Sequence, residues 1–353
     1  MTVPARTAPP PTVLIRGELR DPVDGCGARR HHDLEAQSVP HRIVILPVAD
    51  PADSLAKRMG CHVESISQVI REALSVDGDL ILYYPEVPFF FPPSVYKLIP
   101  GLLIFWVIRC VMSLRGRHMV IDIVDINRWQ FPSLNRALSS RARVSRIWEW
   151  CLFRLVDRIR IPGCHLADWL RRDLNLAPNL FDIRPHQPPR ISFSGEDKPR
   201  PQTGSPAGEP HRVRFVYVGG LDQGEDRGVS WLIRCFLRAD PLWAELILAG
   251  QAGEWITQQV AHPRVNYKGL LGERELIELV RSCDYGIIPY PEWGYYKTVL
   301  PAKLSFYEGC GISVISTRIP EAVDWFARGG KGGIIPYLEL SRIFRSVSSL
   351  PST

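Results

Sequence analysis

The chain has 353 residues, of which 45% are hydrophobic and 23% charged, and its formal net charge is +6. The length allows two domains of ordinary size, each with its own core, and the composition excludes a disordered chain. The charge is weaker than a nucleic-acid-binding domain carries; it suits a small anionic ligand or a surface resting near acidic lipid.

Met1–Pro11 is Pro-rich and lacks an apolar run, so no signal peptide is expected there. Continuous apolar runs then predict strands at Thr12–Leu19, Arg42–Val48, Asp79–Tyr84 and Met119–Ile126, with helices at Ser65–Leu74, Tyr96–Leu114 and Val144–Val156. Strands that are apolar throughout, rather than alternating, point to a parallel sheet covered on both faces. The β/α alternation predicts a doubly wound domain over residues 12–193. Leu98–Ile108 is almost wholly apolar, but Pro100 and Arg109 interrupt it and it is short for a membrane span. It reads either as a buried helix or as a face that touches membrane, with Arg109, Arg115 and Arg117 suited to acidic headgroups.

Residues 194–211 are polar and rich in Pro and Gly, and are expected to link the domains. The alternation restarts in a second domain, residues 212–340. Strands are predicted at Val213–Val218, Ala244–Ala249, Val265–Tyr267, Tyr285–Pro289 and Ser313–Ser316, and helices at Val229–Ala239, Glu273–Ser282 and Pro301–Gly309. Two Rossmann-like α/β domains facing a cleft are the fold this order predicts, and such clefts hold ligands.

The segment Pro301–Glu308 carries the chemistry. Pro301 suits the first helical position, and Gly309 and Gly311 stop the helix. The helix N-terminus offers free N–H groups and the positive end of the dipole to a pyrophosphate, and Lys303 adds a full charge. Glu308 lies roughly 10 Å further along the axis, where its carboxylate could accept hydrogen bonds from two ribose hydroxyls. The competing reading is an amphipathic core helix with a solvated Lys and Glu. Asp77-Gly-Asp79 matches the D-x-D pattern that holds metal and diphosphate, but it precedes its strand and reads as a turn. No cluster of metal-ligand spacing stands out, and no metal or other cofactor is expected. The eight cysteines are scattered, without C-x-x-C, which suits a reducing cytoplasm.

The stretch Thr298–Ser316 resembles the donor-site segment of GT-B glycosyltransferases of the family 4 type. Val216-Tyr-Val-Gly-Gly-Leu221, Arg227-Gly228, Tyr267-Lys-Gly-Leu-Leu-Gly272 and Cys283–Tyr290 resemble that family's other signals, in its order. The resemblance implies a nucleotide-sugar donor, UDP- or GDP-linked, and a glycan or lipid-linked acceptor, with no nucleic acid involved. It also implies roles. Gly219 and Gly220 would admit phosphate or sugar, while Arg227 and Lys303 would neutralise the leaving diphosphate. Gly269 and Leu270 would meet the base, Glu308 the ribose, and Tyr290, Trp293, Gly294 and Tyr295 the donor sugar.

Three positions depart from the family pattern. Gly220 replaces a frequent arginine, Leu300 a frequent glutamate, and Ser313 a proline; Glu292 is near but out of register. Little sequence remains after Tyr337 for the family's helix back to the first domain. In the first domain, Gly25 and Gly27 resemble the family's acceptor or phosphate loop, with His31 and His32 after them, although as a dinucleotide fingerprint the loop fails at Arg30. The plain alternative is a surface turn. Asp122 and Asp125 fall at a strand's carboxyl end, and Asp125, beside Arg128, is the expected acceptor contact or base.

The expected function is sugar transfer in exopolysaccharide or other surface glycan assembly, in the cytoplasm, at the inner membrane face where the acceptor is lipid-linked. The rivals are a catalytically silent nucleotide-sugar-binding protein and a GT-B-fold nucleotide-sugar 2-epimerase.

Overall fold

The computed structural model describes residues 12–17, 41–46, 54–84, 95–123, 126, 140–186, 212–223 and 227–345. The chain divides into two compact units, Met1–Pro185 and His186–Thr353. Gly25, Gly27, His31, His32, Asp125, Arg128 and the expected linker 194–211 lie outside the described residues.

The first unit runs β1 (Thr12–Gly17), β2 (His41–Leu46), α1 (Leu55–Ser75), β3 (Leu80–Tyr84), α2 (Val95–Leu114), β4 (Met119–Ile123), α3 (Ser140–Leu155), β5 (Arg158–Ile161), α4 (Cys164–Leu174) and β6 (Phe181–Ile183). The strands form one parallel sheet in the order β2-β1-β3-β4-β5-β6. Alternation along each strand divides the apolar run between two faces. In β3, Leu80, Leu82 and Tyr84 join the main core with Phe105, Trp148 and Leu170 of the helices, while Ile81 and Tyr83 turn to the other face.

Helix α1 starts ten residues before the predicted Ser65. Ser54 Oγ accepts the Lys57 N–H at 3.4 Å, and Gly60, which breaks the apolar period, sits where nothing lies within 4 Å. Strand β5 escaped the sequence reading because Arg158 and Arg160 interrupt its apolar residues. Arg160 is tolerated because the parallel register sets it beside Asp122 of β4 and Asp182 of β6, at 4.0 and 3.8 Å. Asp122 is thus a buried structural partner inside its strand. Asp77 and Gly78 form the bend before β3, with Asp79 next to it. Asp77 pairs with Arg115 at 3.6 Å, and Asp79 accepts the His118 N–H at 3.2 Å.

The second unit runs β7 (Val213–Val218), α5 (Val229–Ala239), β8 (Ala244–Ala249), α6 (Glu254–Gln259), β9 (Val265–Tyr267), α7 (Glu273–Arg281), β10 (Tyr285–Ile288), α8 (Ala302–Cys310), β11 (Ser313–Thr317), α9 (Pro320–Ala327) and β12 (Gly332–Ile335). A 3-10 turn, Gly294–Lys297, precedes α8, and a second, Tyr337–Phe344, follows β12. Its parallel sheet has the order β12-β11-β10-β7-β8-β9. Both faces are covered: Phe215 and Tyr217 of β7 pack with α5 residues Leu232 and Phe236, and Val216 and Val218 pack with α8 residues Leu304 and Tyr307. The chain leaves β7 toward β8 on one side and returns with β10 on the other. The carboxyl ends of β7 and β10 therefore flank a change in strand order, where open α/β sheets bind ligands.

Candidate functional site

The first wall of the site is the turn after β7. The Gly219 N–H continues the ladder by donating to Ala249 O at 2.9 Å, and the Leu221 N–H donates to Gln251 O at 2.9 Å. The turn rests directly on the loop after β8. A Cβ on Gly250, whose φ is +146, would stand 1.8 Å from Gly219 O, so only glycine fits there. The loop after β9 completes this edge, with the Gly250 N–H donating to Gly269 O at 2.8 Å. Beyond it, Leu270 is exposed. Tyr217, buried below the turn, donates its hydroxyl to Gly220 O at 3.2 Å.

The second wall is α8. Pro301 is its N-cap, one position earlier than the first helical place predicted for it. Tyr307 fixes the helix against the sheet. Its hydroxyl accepts the Val218 N–H at 3.2 Å, and its ring lies over Gly286, where a Cβ would be 2.5 Å from it. Burial pushes the Tyr307 phenol well above the ordinary tyrosine range, so it stays neutral. Replacing Tyr307 by phenylalanine leaves the Val218 N–H buried without this acceptor. Chemical denaturation should then show a loss of about 1–3 kcal/mol.

Lys303 extends from the first turn of α8 to the glycine turn. Its Nζ donates to Tyr290 Oη at 2.9 Å, and lies 5.1 Å from the Tyr217 ring centre and 5.3 Å from that of Tyr290. A Cβ on Gly219 would come 2.9 Å from that ammonium. Arg227 approaches the same turn just before α5, within 3.1 Å of where a Gly220 Cβ would be. Its Nε is 3.7 Å from the exposed Asp222 carboxylate. Burial works against the charge on Lys303, but the phenol oxygens of Tyr217 and Tyr290 more than offset it, so its pKa lies above the ordinary lysine value. Among the described residues no carboxylate lies within 4.0 Å of Lys303 Nζ. Two cations therefore converge on a glycine turn, one of them from the first turn of α8, with a deficit of negative charge. That arrangement fits a diphosphate.

The loop between β10 and α8 is held rather than loose. Glu292 Oε1 accepts the Arg318 N–H at 3.1 Å and the Tyr337 N–H at 2.7 Å. This carboxylate is a backbone clasp, a role its sequence neighbours gave no hint of. Trp293 packs edge-on to Tyr337 with ring centres 4.9 Å apart. Gly294 opens the 3-10 turn with φ +61, and Tyr295 lies against Tyr296, which in turn is 4.8 Å from the Tyr290 ring. Leu300 packs against the core, so the position often holding a glutamate contributes apolar surface.

The structure thus brings together Gly219, Gly220, Arg227, Tyr290 and Lys303. It does not bring Glu308 to them. At 3.6 residues per turn, five residues rotate Glu308 about 140° from Lys303 around α8, and its side chain is exposed. Phe306 and Tyr307 occupy the side of the helix nearer Lys303 in phase. Replacing Glu308 by alanine should change nucleotide affinity less than about threefold in calorimetry, well under one charged hydrogen bond. Sequence reasoning missed Tyr217, Tyr307 and Thr317, whose Oγ1 donates to Tyr290 O at 2.5 Å. Tyr307 and Thr317 meet their partners across 89 and 27 positions, a spacing that carries no local signal.

Two parallel Rossmann-like units with this strand order define the GT-B fold. HepE of Anabaena, solved in complex with UDP and glucose, superposes with a TM-score of 0.56 at 15% identity, over 95% of this chain and 89% of that one. Sucrose-phosphate synthase of Thermosynechococcus elongatus gives 0.61 at 13% identity, over 96% and 89%. WaaG, a glycosyltransferase involved in lipopolysaccharide biosynthesis, gives 0.58 at 12% identity, over 95% and 89%. At these identities the likeness establishes the fold. No family model matches the sequence, and no curated protein matches it.

Proposed function

We propose that this chain is a glycosyltransferase that moves a sugar from a nucleoside-diphosphate donor to an acceptor hydroxyl. The observation that carries the proposal is the convergence of Lys303 and Arg227 on the Gly219–Gly220 turn at the strand-order switch. When the bond from sugar to diphosphate breaks, negative charge builds on the leaving oxygen. Cations and helix N–H groups already in place stabilise that charge without reorganising. Tyr217 and Tyr290 hold the Lys303 ammonium over the turn. The base would lie by Gly269 and Leu270, and the donor sugar toward Gly294 and Tyr295. Metal-independent transfer of the family 4 type is the finer reading, on the strength of the Lys303 and Arg227 motifs.

In the first unit, Asp125 is the proposed acceptor contact and Gly25–Gly27 the proposed acceptor loop. The acceptor would be a glycan or lipid-linked glycan in polysaccharide assembly. A thermal-shift screen of UDP, GDP and their sugars should find a ligand that raises the melting temperature. Transfer or slow donor hydrolysis should then follow, in the presence of EDTA. Binding without turnover across an acceptor panel would support a silent binding protein instead, and release of an epimerised sugar from donor alone would support an epimerase.

A further inference from the structure

Helix α2 presents apolar side chains to solvent. Its inward residues, Phe105, Ile108 and Met112, are buried in the core. Its outward residues, Ile99, Leu103, Trp106, Val107 and Leu114, are exposed, with Leu103 at 57% and Trp106 at 55%. A surface helix ordinarily places polar residues there. The neighbouring α3 packs on it through Trp148, whose ring centre is 6.0 Å from that of Phe105. It continues the patch with Ile147 and Trp150, the latter 46% exposed. The Arg154 guanidinium lies over the Trp150 ring at 4.2 Å. The sequences of α2 and α3 hold Lys97, Arg109, Arg141, Arg143, Arg146 and Arg154 against one carboxylate, Glu149, while from outside them Asp157 pairs with Arg109 and Asp173 with Arg146 at 3.2 Å, so three basic residues remain in excess of carboxylates. Glu149 is buried and accepts the Tyr84 hydroxyl at 3.1 Å. Among the described residues no helix is long and apolar enough to cross a membrane.

We infer that the exposed face of α2 and α3 docks on an anionic lipid surface, lying in the headgroup region without spanning it. Apolar side chains would enter the acyl boundary, the two tryptophans would sit at the headgroup level, and the basic excess would attract acidic lipid. The joint exposure of two tryptophans and a net basic surplus beside apolar side chains favours acidic lipid over a protein partner of ordinary surface composition. The inference is drawn from the first unit alone; it deepens the proposed function by naming the surface on which a lipid-linked acceptor would be met.

Co-sedimentation with vesicles tests it. The wild-type chain should pellet with vesicles containing phosphatidylglycerol, bind phosphatidylcholine vesicles far more weakly, and release as salt rises. The double variant Leu103→Glu, Trp106→Glu alters exposed positions and should keep its melting temperature. It should lose vesicle affinity by roughly tenfold or more, with nucleotide binding unchanged. Lys303→Ala should still bind vesicles, which separates failure of the docking surface from failure of the donor site. Equal binding by the double variant, no preference for anionic vesicles, or a concentration-dependent dimer that the double variant abolishes would each overturn the inference.

Discussion

Replacing Lys303 by alanine should weaken nucleoside-diphosphate binding by roughly 10–100-fold, the loss expected for one hydrogen bond between charged groups. Titration calorimetry measures it directly. The same change should lower the melting temperature of the unliganded protein only a little, because the folded surroundings favour the Lys303 ammonium on balance. Lys303 is near Arg227, whose charge works against its own, and its Nζ has Tyr290 Oη as its hydrogen-bond partner. A residue whose removal lowers ligand affinity far more than stability serves the ligand rather than the fold. The elevated pKa keeps Lys303 protonated throughout the neutral range and into alkaline solution. Its contribution to binding should therefore be flat between about pH 7 and 9, below even the reference lysine pKa.

Gly250→Ala should act in the opposite way, through the scaffold. The new Cβ would stand 1.8 Å from Gly219 O at a φ of +146. Neither the clash with a backbone atom nor the backbone strain can be relieved by a side-chain rotation. About 3 kcal/mol of stability should be lost, combining overpacking and strain. That corresponds to a melting temperature lower by roughly 6–12 °C for a unit of this size. Because the displaced atom belongs to the glycine turn, nucleotide affinity should fall as well, even at temperatures where the protein remains folded. Tyr307→Phe is a useful contrast: it loosens α8 while leaving the glycine turn and Lys303 chemically intact.

The parts of the fold that the sequence made legible are those in which chemistry and period agree. β7, β8 and β10 are apolar apart from the paired Arg214 and Glu245 near the strand starts, because one side faces Phe236 and Leu340 and the other faces Leu304 and Tyr307. The fold class followed from that pattern and its alternation with helices, and the structure bears it out. β5 did not show, because Arg160 gains its place only from carboxylates on two neighbouring strands. Short elements such as α6, and α9 with β12 after it, offered too few residues for a period to emerge.

The candidate site divides along the same line. Lys303 carries chemistry that residue type and local spacing reveal, while Arg227 and the glycine pair are expected from the family resemblance. The contacts of the phenols that position them have no such signal: Tyr307 meets Val218 across 89 positions of sequence, and Tyr290 meets Lys303 across 13. Glu308 illustrates the converse. Its distance along the helix suited a ribose, but its phase around the helix turns it away from Lys303. In α2 the sequence displayed the apolarity, and only packing revealed that Trp106 and Leu103 face outward.

The central claim is that Lys303, Arg227 and the start of α8 hold a diphosphate. Paired calorimetric titrations with UDP and UMP, and with GDP and GMP, test it most directly. At least one diphosphate should bind, more tightly than its monophosphate by roughly tenfold or more, and Lys303→Ala should remove most of that difference. Equal affinities for the mono- and diphosphate, or a difference that survives in Lys303→Ala, would contradict it.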